Sequence, residues 1–222
     1  MTASLVFTPL LLTLKVAVLA TLGALALGVP AAYLVGRERF PARPLADALA
    51  TLPMVLPPTV LGYYMLVLFG RQGILGRLLI DVFGVTLLFT WQGAVVASCV
   101  VAFPLVFTTA RAAFDSVDPN LVNAARTLGA TRLSLFGRVV LPLAWRGILA
   151  GAMLAFARAM GEFGATLMIA GNIPGKTQTL SLAVYDAVMA GRDEQAAILV
   201  GVVSAASLSI LMFSGMLLRP AR

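Results

Sequence analysis

Arg158 and Glu162 stand four residues apart inside an apolar stretch, residues 147–170. On a helix that spacing places both on one face, close enough to pair. Alone at mid-bilayer each would cost about 2.5–3.5 kcal/mol on insertion scales, so the two must pair or face a watery cavity. Two chemistries fit. One is a structural ion pair at a helix interface. The other is a gate or lining past which a substrate moves. A bare carboxylate repels an anion, so on an anion path Arg158 would have to neutralise Glu162. Thr166 lies in the same stretch and joins them as a candidate pathway residue.

A second constellation is Leu52-Pro53-Met54-Val55-Leu56-Pro57-Pro58-Thr59. Its three prolines remove backbone donors and bend a helix. Carbonyls freed by the bend must face protein or water rather than lipid. Pro57 and Pro58 are therefore candidates for a pathway-lining or gating kink, with a purely structural bend as the alternative.

A third lies in a polar interval. Asp118-Pro119 combines an N-cap acceptor with proline at the first helical position. Leu121, Ala124, Ala125 and Leu128 follow at helical spacing and form a narrow apolar face suited to a groove on another protein. Gly129 occupies the C-terminal left-handed position. Thr131 can cap a second helix, which Pro142 is expected to end. An ordinary helical hairpin tucked under the bundle is the alternative.

Other chemistry is poorly supplied. The chain has no histidine and one cysteine, Cys99, so an internal disulfide is impossible and a His/Cys metal site is not expected. No G-x-x-x-x-G-K-[ST] loop occurs, so the chain is not itself an ATPase. An intramembrane enzyme would have only Glu162 as an acid well inside a span.

These residues must be positioned in a bilayer. Apolar residues make up 60% of the 222 and charged ones 11%, against about 25% charged in soluble domains. The mean hydropathy is +0.99. Five apolar segments, 10–34, 51–69, 87–109, 147–170 and 196–218, can each cross about 30 Å of hydrocarbon. The first is too long for a signal peptide's apolar region and has no basic segment before it. Gly147, Gly151, Ala155 and Ala159 recur every four residues and permit close helix packing. Ile74, Leu75, Leu78, Leu79, Val82 and Phe83 predict a short surface helix, packed on its own bundle or on a partner.

The net charge of +7 reads as loop charge rather than a nucleic-acid surface. With the N-terminus outside, ten basic residues face the cytoplasm: Arg37, Arg39, Arg43, Arg111, Arg126, Arg132, Arg138, Arg146, Arg219 and Arg222. Four, Arg71, Arg77, Lys176 and Arg192, face outward, while Lys15 and Arg158 fall within spans. The bias predicts N-out, C-in, with residues 37–47 and 111–146 cytoplasmic.

The stretch Asn123-Ala124-Ala125-Arg126-Thr127-Leu128-Gly129-Ala130, followed by Leu141-Pro142, resembles the coupling loop of ABC importer permeases, E-A-A-x-x-x-G with an I-x-L-P-like end. Asn123 stands where that pattern has Glu, so no ion pair from that Glu is carried over. Over nearly its whole length the chain resembles the molybdate ABC transporter permeases. The matching stretches are residues 52–63, Trp91-Gln92-Gly93-Ala94-Val95, residues 124–130, residues 156–166 and Asn172-Ile173-Pro174-Gly175. The Gly161-Glu162-Phe163-Gly164-Ala165 stretch is shared with sulfate permeases. The proline-rich segment, the outer loop of Asn172, Pro174 and Gly175, and the five-span length favour the molybdate branch.

The resemblance implies an all-α integral membrane protein of the type I ABC importer permease kind. It implies one domain over 1–222, about five transmembrane helices and a cytoplasmic coupling loop at 111–146. It implies a homodimeric pore in the prokaryotic cell (inner) membrane, working by alternating access. Two cytoplasmic ABC ATPase subunits would bind the ATP and Mg, leaving no cofactor in this chain. An extracytoplasmic molybdate-binding protein would deliver molybdate and tungstate. Sulfate or thiosulfate import is the nearest alternative, and a passive channel a further one. The coupling interface implied is Asn123, Ala124, Ala125, Arg126, Leu128, Gly129, Leu141 and Pro142.

Overall fold

A computed structural model describes residues 2–36 and 42–217. Arg37, Arg39, Arg219 and Arg222, used in the charge count, lie outside the described residues. Every described element is helical: α1 Thr2–Val35, α2 Arg43–Val55, α3 Pro58–Phe69, α4 Ile74–Phe83, α5 Trp91–Asp115, α6 Pro119–Thr127, α7 Arg132–Leu135, α8 Leu141–Met160, α9 Gly164–Ala170, α10 Leu180–Met189 and α11 Asp193–Leu217. A π-helical turn, Phe136–Val140, joins α7 to α8. Four helices are long and apolar enough to cross a membrane, and the bent pair α2/α3 makes five.

The core is α5 packed between α1 and α8, and small residues set the approach. A Cβ on Gly151 would stand 1.9 Å from Thr109 Oγ1, and one on Gly147 2.5 Å from Ala113 Cβ. Ala155 and Ala159 are buried on the same stripe, as the four-residue spacing predicts. The α1, α5 and π segments meet at one end of the bundle through Tyr33, Phe114 and Phe136, whose ring centroids lie 4.4–6.1 Å apart. At the other end, Thr13 Oγ1 accepts from the Leu180 N–H at 2.8 Å and ties α10 to α1.

Four expectations need correction. The second apolar segment bends at its prolines as expected, but it is two helices rather than one span over 51–69. Its helix begins earlier, at Arg43, and the axis turns by 112° between α2 and α3. Pro57 and Pro58 together withhold two consecutive N–H donors, and Leu56 is extended, with ψ 139°. Arg43 and Asp47, expected in a loop, therefore sit in the first turns of α2, where Pro44 suits the helix start.

The fourth segment is likewise not one helix. It breaks at Gly161-Glu162-Phe163, with α9 continuing beyond. Nor does Pro142 end a helix, because residues 132–160 run on as one long element. The π turn explains this: Leu141 N–H reaches back five residues to Phe136 O, and the wider turn leaves room for the proline ring. The helix α10 was not foreseen.

Candidate functional site

The two interrupted spans meet. A Cβ on Gly164 would lie 2.9 Å from Pro58 Cβ, and one on Gly62 2.7 Å from Met168 Cβ. Thus α3 and α9 start side by side and run in the same direction. Leu61 and Met65 then pack with Ala165, Ile169, Ala97 and Val101. The last turn of α8, Ala159 and Met160, packs on Ala17 and Ala20, midway along α1. The break after α8 is thus level with the middle of α1, and discontinuous helices of this kind commonly build the sites of transport proteins.

Glu162 occupies the break between α8 and α9. Its Oε1 accepts from the Ala165 N–H at 3.0 Å, so the carboxylate caps α9 against the positive end of the helix dipole. Its Oε2 lies 2.8 Å from Arg158 Nη1, yet accepts no well-aligned hydrogen bond. The contact is a charge pair rather than a hydrogen-bonded fork. The two partners differ in burial: the Glu162 side chain is 1% exposed and that of Arg158 37%. Thr166 Oγ1 is buried nearby in sequence on α9, with no hydrogen-bond partner. Hence Pro58 and Glu162 meet at the start of α9, Thr166 lies within the first turn of that helix, and Arg158 remains partly exposed beside it. Glycines 62 and 164, which set the approach, were not singled out in the sequence. The signal available was the place of Gly62 four residues after Pro58 and of Gly164 two residues after Glu162.

An apolar cleft of about 430 Å³ between α1, α8 and α11 is a different feature. Its two hydroxyls, Thr21 and Ser209, already donate to Ala17 O and Ala205 O at 2.7 and 2.8 Å. It therefore has no spare side-chain donor for an oxyanion.

The coupling-loop residues form a second, separate surface. Asp118 Oδ1 accepts from Asn120 N–H at 2.8 Å and starts α6. Gly129 has φ +80°, with Gly129 N–H bonded to Arg126 O and Ala130 N–H to Ala125 O at 3.0 Å each. This doubly bonded left-handed ending satisfies two carbonyls at the helix end. Thr131 Oγ1 then accepts from Ser134 N–H at 3.3 Å to start α7. None of α6 is buried, and Leu128 and Leu133 are 87% and 81% exposed. Asn123, Ala124 and Arg126 are exposed too, Ala125 and Leu141 are half-buried, and Pro142 is exposed in the first turn of α8.

The outer-loop candidates lie at a third place, after α9. Ile173 O accepts from the N–H groups of Lys176, Thr177 and Gln178, and Gly175 has φ +75°. Buried Thr177 accepts from Ile173 N–H at 3.0 Å. The loop is self-braced, with Pro174 and Gly175 exposed at its tip.

Comparison with known proteins follows this geometry. Residues 24–219 match the family described as "Binding-protein-dependent transport system inner membrane component". The chain is 45% identical over 213 residues to the molybdenum transport system permease protein ModB of Escherichia coli K12, covering 96% of this chain and 93% of that protein. It is 40% identical over 187 residues to the sulfate transport system permease protein CysT of Salmonella typhimurium, covering 84% of this chain and 67% of that one. The fold matches a solved inward-facing structure of the MetNI methionine ABC transporter with TM-score 0.76, over 97% of this chain and 95% of the other at 17% identity. With its candidate spans, its broken helices and its exposed, capped loop, the chain belongs to the family of binding-protein-dependent transport system inner membrane components.

Proposed function

We propose that this chain is the pore-forming permease of an ATP-driven importer of molybdate and tungstate. The observation that carries the substrate is the 45% identity to a molybdenum permease across nearly both chains. The mechanical reading rests on α6. A two-turn helix, capped at both ends and with no buried residue, leaves Leu121, Ala124 and the following Leu128 of its apolar face exposed. Such a face fits a groove on a cytoplasmic ATPase subunit.

In this reading two copies of the chain enclose the path, two ATPase subunits bind ATP and Mg, and a binding protein docks at the opposite end. The N-terminus is outside and the C-terminus cytoplasmic. The chain itself catalyses nothing. ATP closes the ATPase pair, the α6 helices move, and the pore opens toward the loaded binding protein. The pore responds only as far as its contacts differ between the two states. Arg158, held by a single unaligned contact, offers donors to a passing dianion while Glu162 stays fixed by the Ala165 amide. Contacts this few and weak suit passage rather than storage. Selectivity against sulfate then lies mainly in the binding protein.

Native mass measurement of the complex tests the assembly. Two copies of this chain with two ATPase subunits are expected, and Ala124→Glu should release the ATPases while leaving the permease pair intact. A monomeric permease, or retention of the ATPases by the variant, would contradict the reading.

A further inference from the structure

We propose that Asp47 and Arg111 form the link through which movement of the coupling loop reaches the proline break between α2 and α3. The inference rests on the reading of α6 as the ATPase-docking helix.

Arg111 stands one turn before the end of α5. Its Nη1 donates to Asp47 Oδ1 at 3.0 Å, and its Nε lies 3.4 Å from Asp115 Oδ2. The Arg111 side chain is 10% exposed and that of Asp47 40%, so the guanidinium is fixed in the packed end of the bundle and reaches out to hold α2. Gly36, at the end of α1, lies beside it: a Cβ there would be in ordinary contact with Arg111 Cδ and Nε at 3.6 Å. Arg43 adds a looser contact to Asp47 at 4.0 Å.

Among the described residues, α2 has few other anchors. It has no buried residue, and its half-buried Ala46 and Ala50 touch the cluster containing Phe107 and Ala110. Small alanine methyls resist sliding poorly, whereas a directed hydrogen bond between charges fixes position.

The chain connections complete the path. Only Ser116, Val117 and Asp118 separate α5 from α6. They are braced by Ser116 N–H to Ala112 O, Val117 N–H to Phe114 O, and Ser116 Oγ to Ala113 O at 2.8 Å. A displacement of α6 is therefore passed to the last turn of α5, which holds Arg111 and Asp115. Arg111 passes it to Asp47 near the start of α2. The other end of α2 is Leu56-Pro57, where the backbone is extended and the axis turns by 112°. Beyond it Pro58 bears on Gly164. Thus α2 acts as a lever, gripped by charge at one end and hinged by proline at the other.

The test uses the full complex of this chain, its ATPase subunits and binding protein in liposomes, reading molybdate imported per ATP hydrolysed. For Asp47→Asn, hydrolysis should stay within about twofold while import per ATP falls about 3- to 30-fold, the range seen for residues along coupling routes. Asp47→Glu should recover most of the ratio. A tie that merely stabilises the fold would lower hydrolysis and import together; an unchanged ratio therefore overturns the proposal.

Spin labels keep the question open to test if Asp47→Asn fails to assemble. On a Cys99→Ala background, labels at exposed Leu49, Ala112 and Tyr63 leave the ion pair untouched. ATP binding should change the Leu49–Tyr63 distance and leave Leu49–Ala112 constant. A changed Leu49–Ala112 distance, or an unchanged Leu49–Tyr63 distance, overturns the link. Failure of the ATPase to bind the unaltered chain would instead refute the docking role of α6, and the link with it.

Discussion

Pro58 and Gly164 touch across the junction of two broken helices, with 2.9 Å between Pro58 Cβ and the place a Gly164 side chain would begin. The proline starts α3 and the glycine starts α9, so the contact fixes where both helices begin. The geometry leaves no room for a methyl group. Gly164→Ala should destabilise by about 1–3 kcal/mol, the range for overpacking a close-fitted site. Gly161→Ala is the control, because its nearest neighbour would be 4.0 Å away. Thermal unfolding of the purified permease should separate the two; equal midpoints would show that the junction yields.

The charge pair predicts an asymmetry. Removing Arg158 strands a carboxylate that is 1% exposed, whereas removing Glu162 leaves a guanidinium 37% exposed. Arg158→Gln should approach the 3–5 kcal/mol typical of breaking a buried pair, and Glu162→Gln should cost less, roughly half. The double change should cost less than the sum of the two singles. Equilibrium unfolding of the four proteins reads all three terms, and strict additivity would mean the two act separately.

The capped helix α6 predicts a variant that folds but uncouples. Ala124 is exposed, so Ala124→Glu should leave the permease's own melting unchanged. It places a charge and extra volume on the proposed docking face, at a cost of about 2–4 kcal/mol in ATPase binding. Titration of purified ATPase subunits onto the permease measures this. Unaltered affinity would remove α6 from the interface.

Orientation has its own test. On a Cys99→Ala background, Lys176→Cys should react with an impermeant thiol reagent added outside, and Arg132→Cys should not. The two residues lie at opposite ends of the bundle, in the self-braced loop after α9 and at the start of α7. Labelling in the reverse pattern would invert the topology.

Local chemistry made part of this molecule readable from sequence. Asp118, Gly129 and Thr131 work within three residues of themselves, so both ends of α6 and the start of α7 could be placed. Gly147 to Ala159 could be read as a packing stripe because its period matches a helix. Hydropathy could not find the break at Gly161, since apolar residues run on either side of it. The charges of Arg43 and Asp47 hid α2, although Pro44 marks a helix start. The 112° turn depends on what α3 packs against, namely Gly164 and Met168, which proline chemistry alone does not specify. Asp47 and Arg111 are 64 positions apart, and no spacing rule joins them. Of the candidate site, the pairing of Arg158 with Glu162 followed from i,i+4 geometry; the capping of α9 by the same carboxylate needed the break to be seen.

The central claim is that this chain forms the path for a tetrahedral oxyanion driven by a separate ATPase. The most direct measurement is uptake of labelled molybdate into liposomes holding the permease and its ATPase subunits, with ATP on the ATPase side and the binding protein on the other. The account predicts accumulation that requires both ATP and the binding protein, with tungstate carried at a similar maximal rate and sulfate excluded. Given a docking-competent binding protein altered to hold sulfate, the same pore should pass sulfate. Flux without ATP, or continued rejection of sulfate delivered by that altered protein, would contradict it.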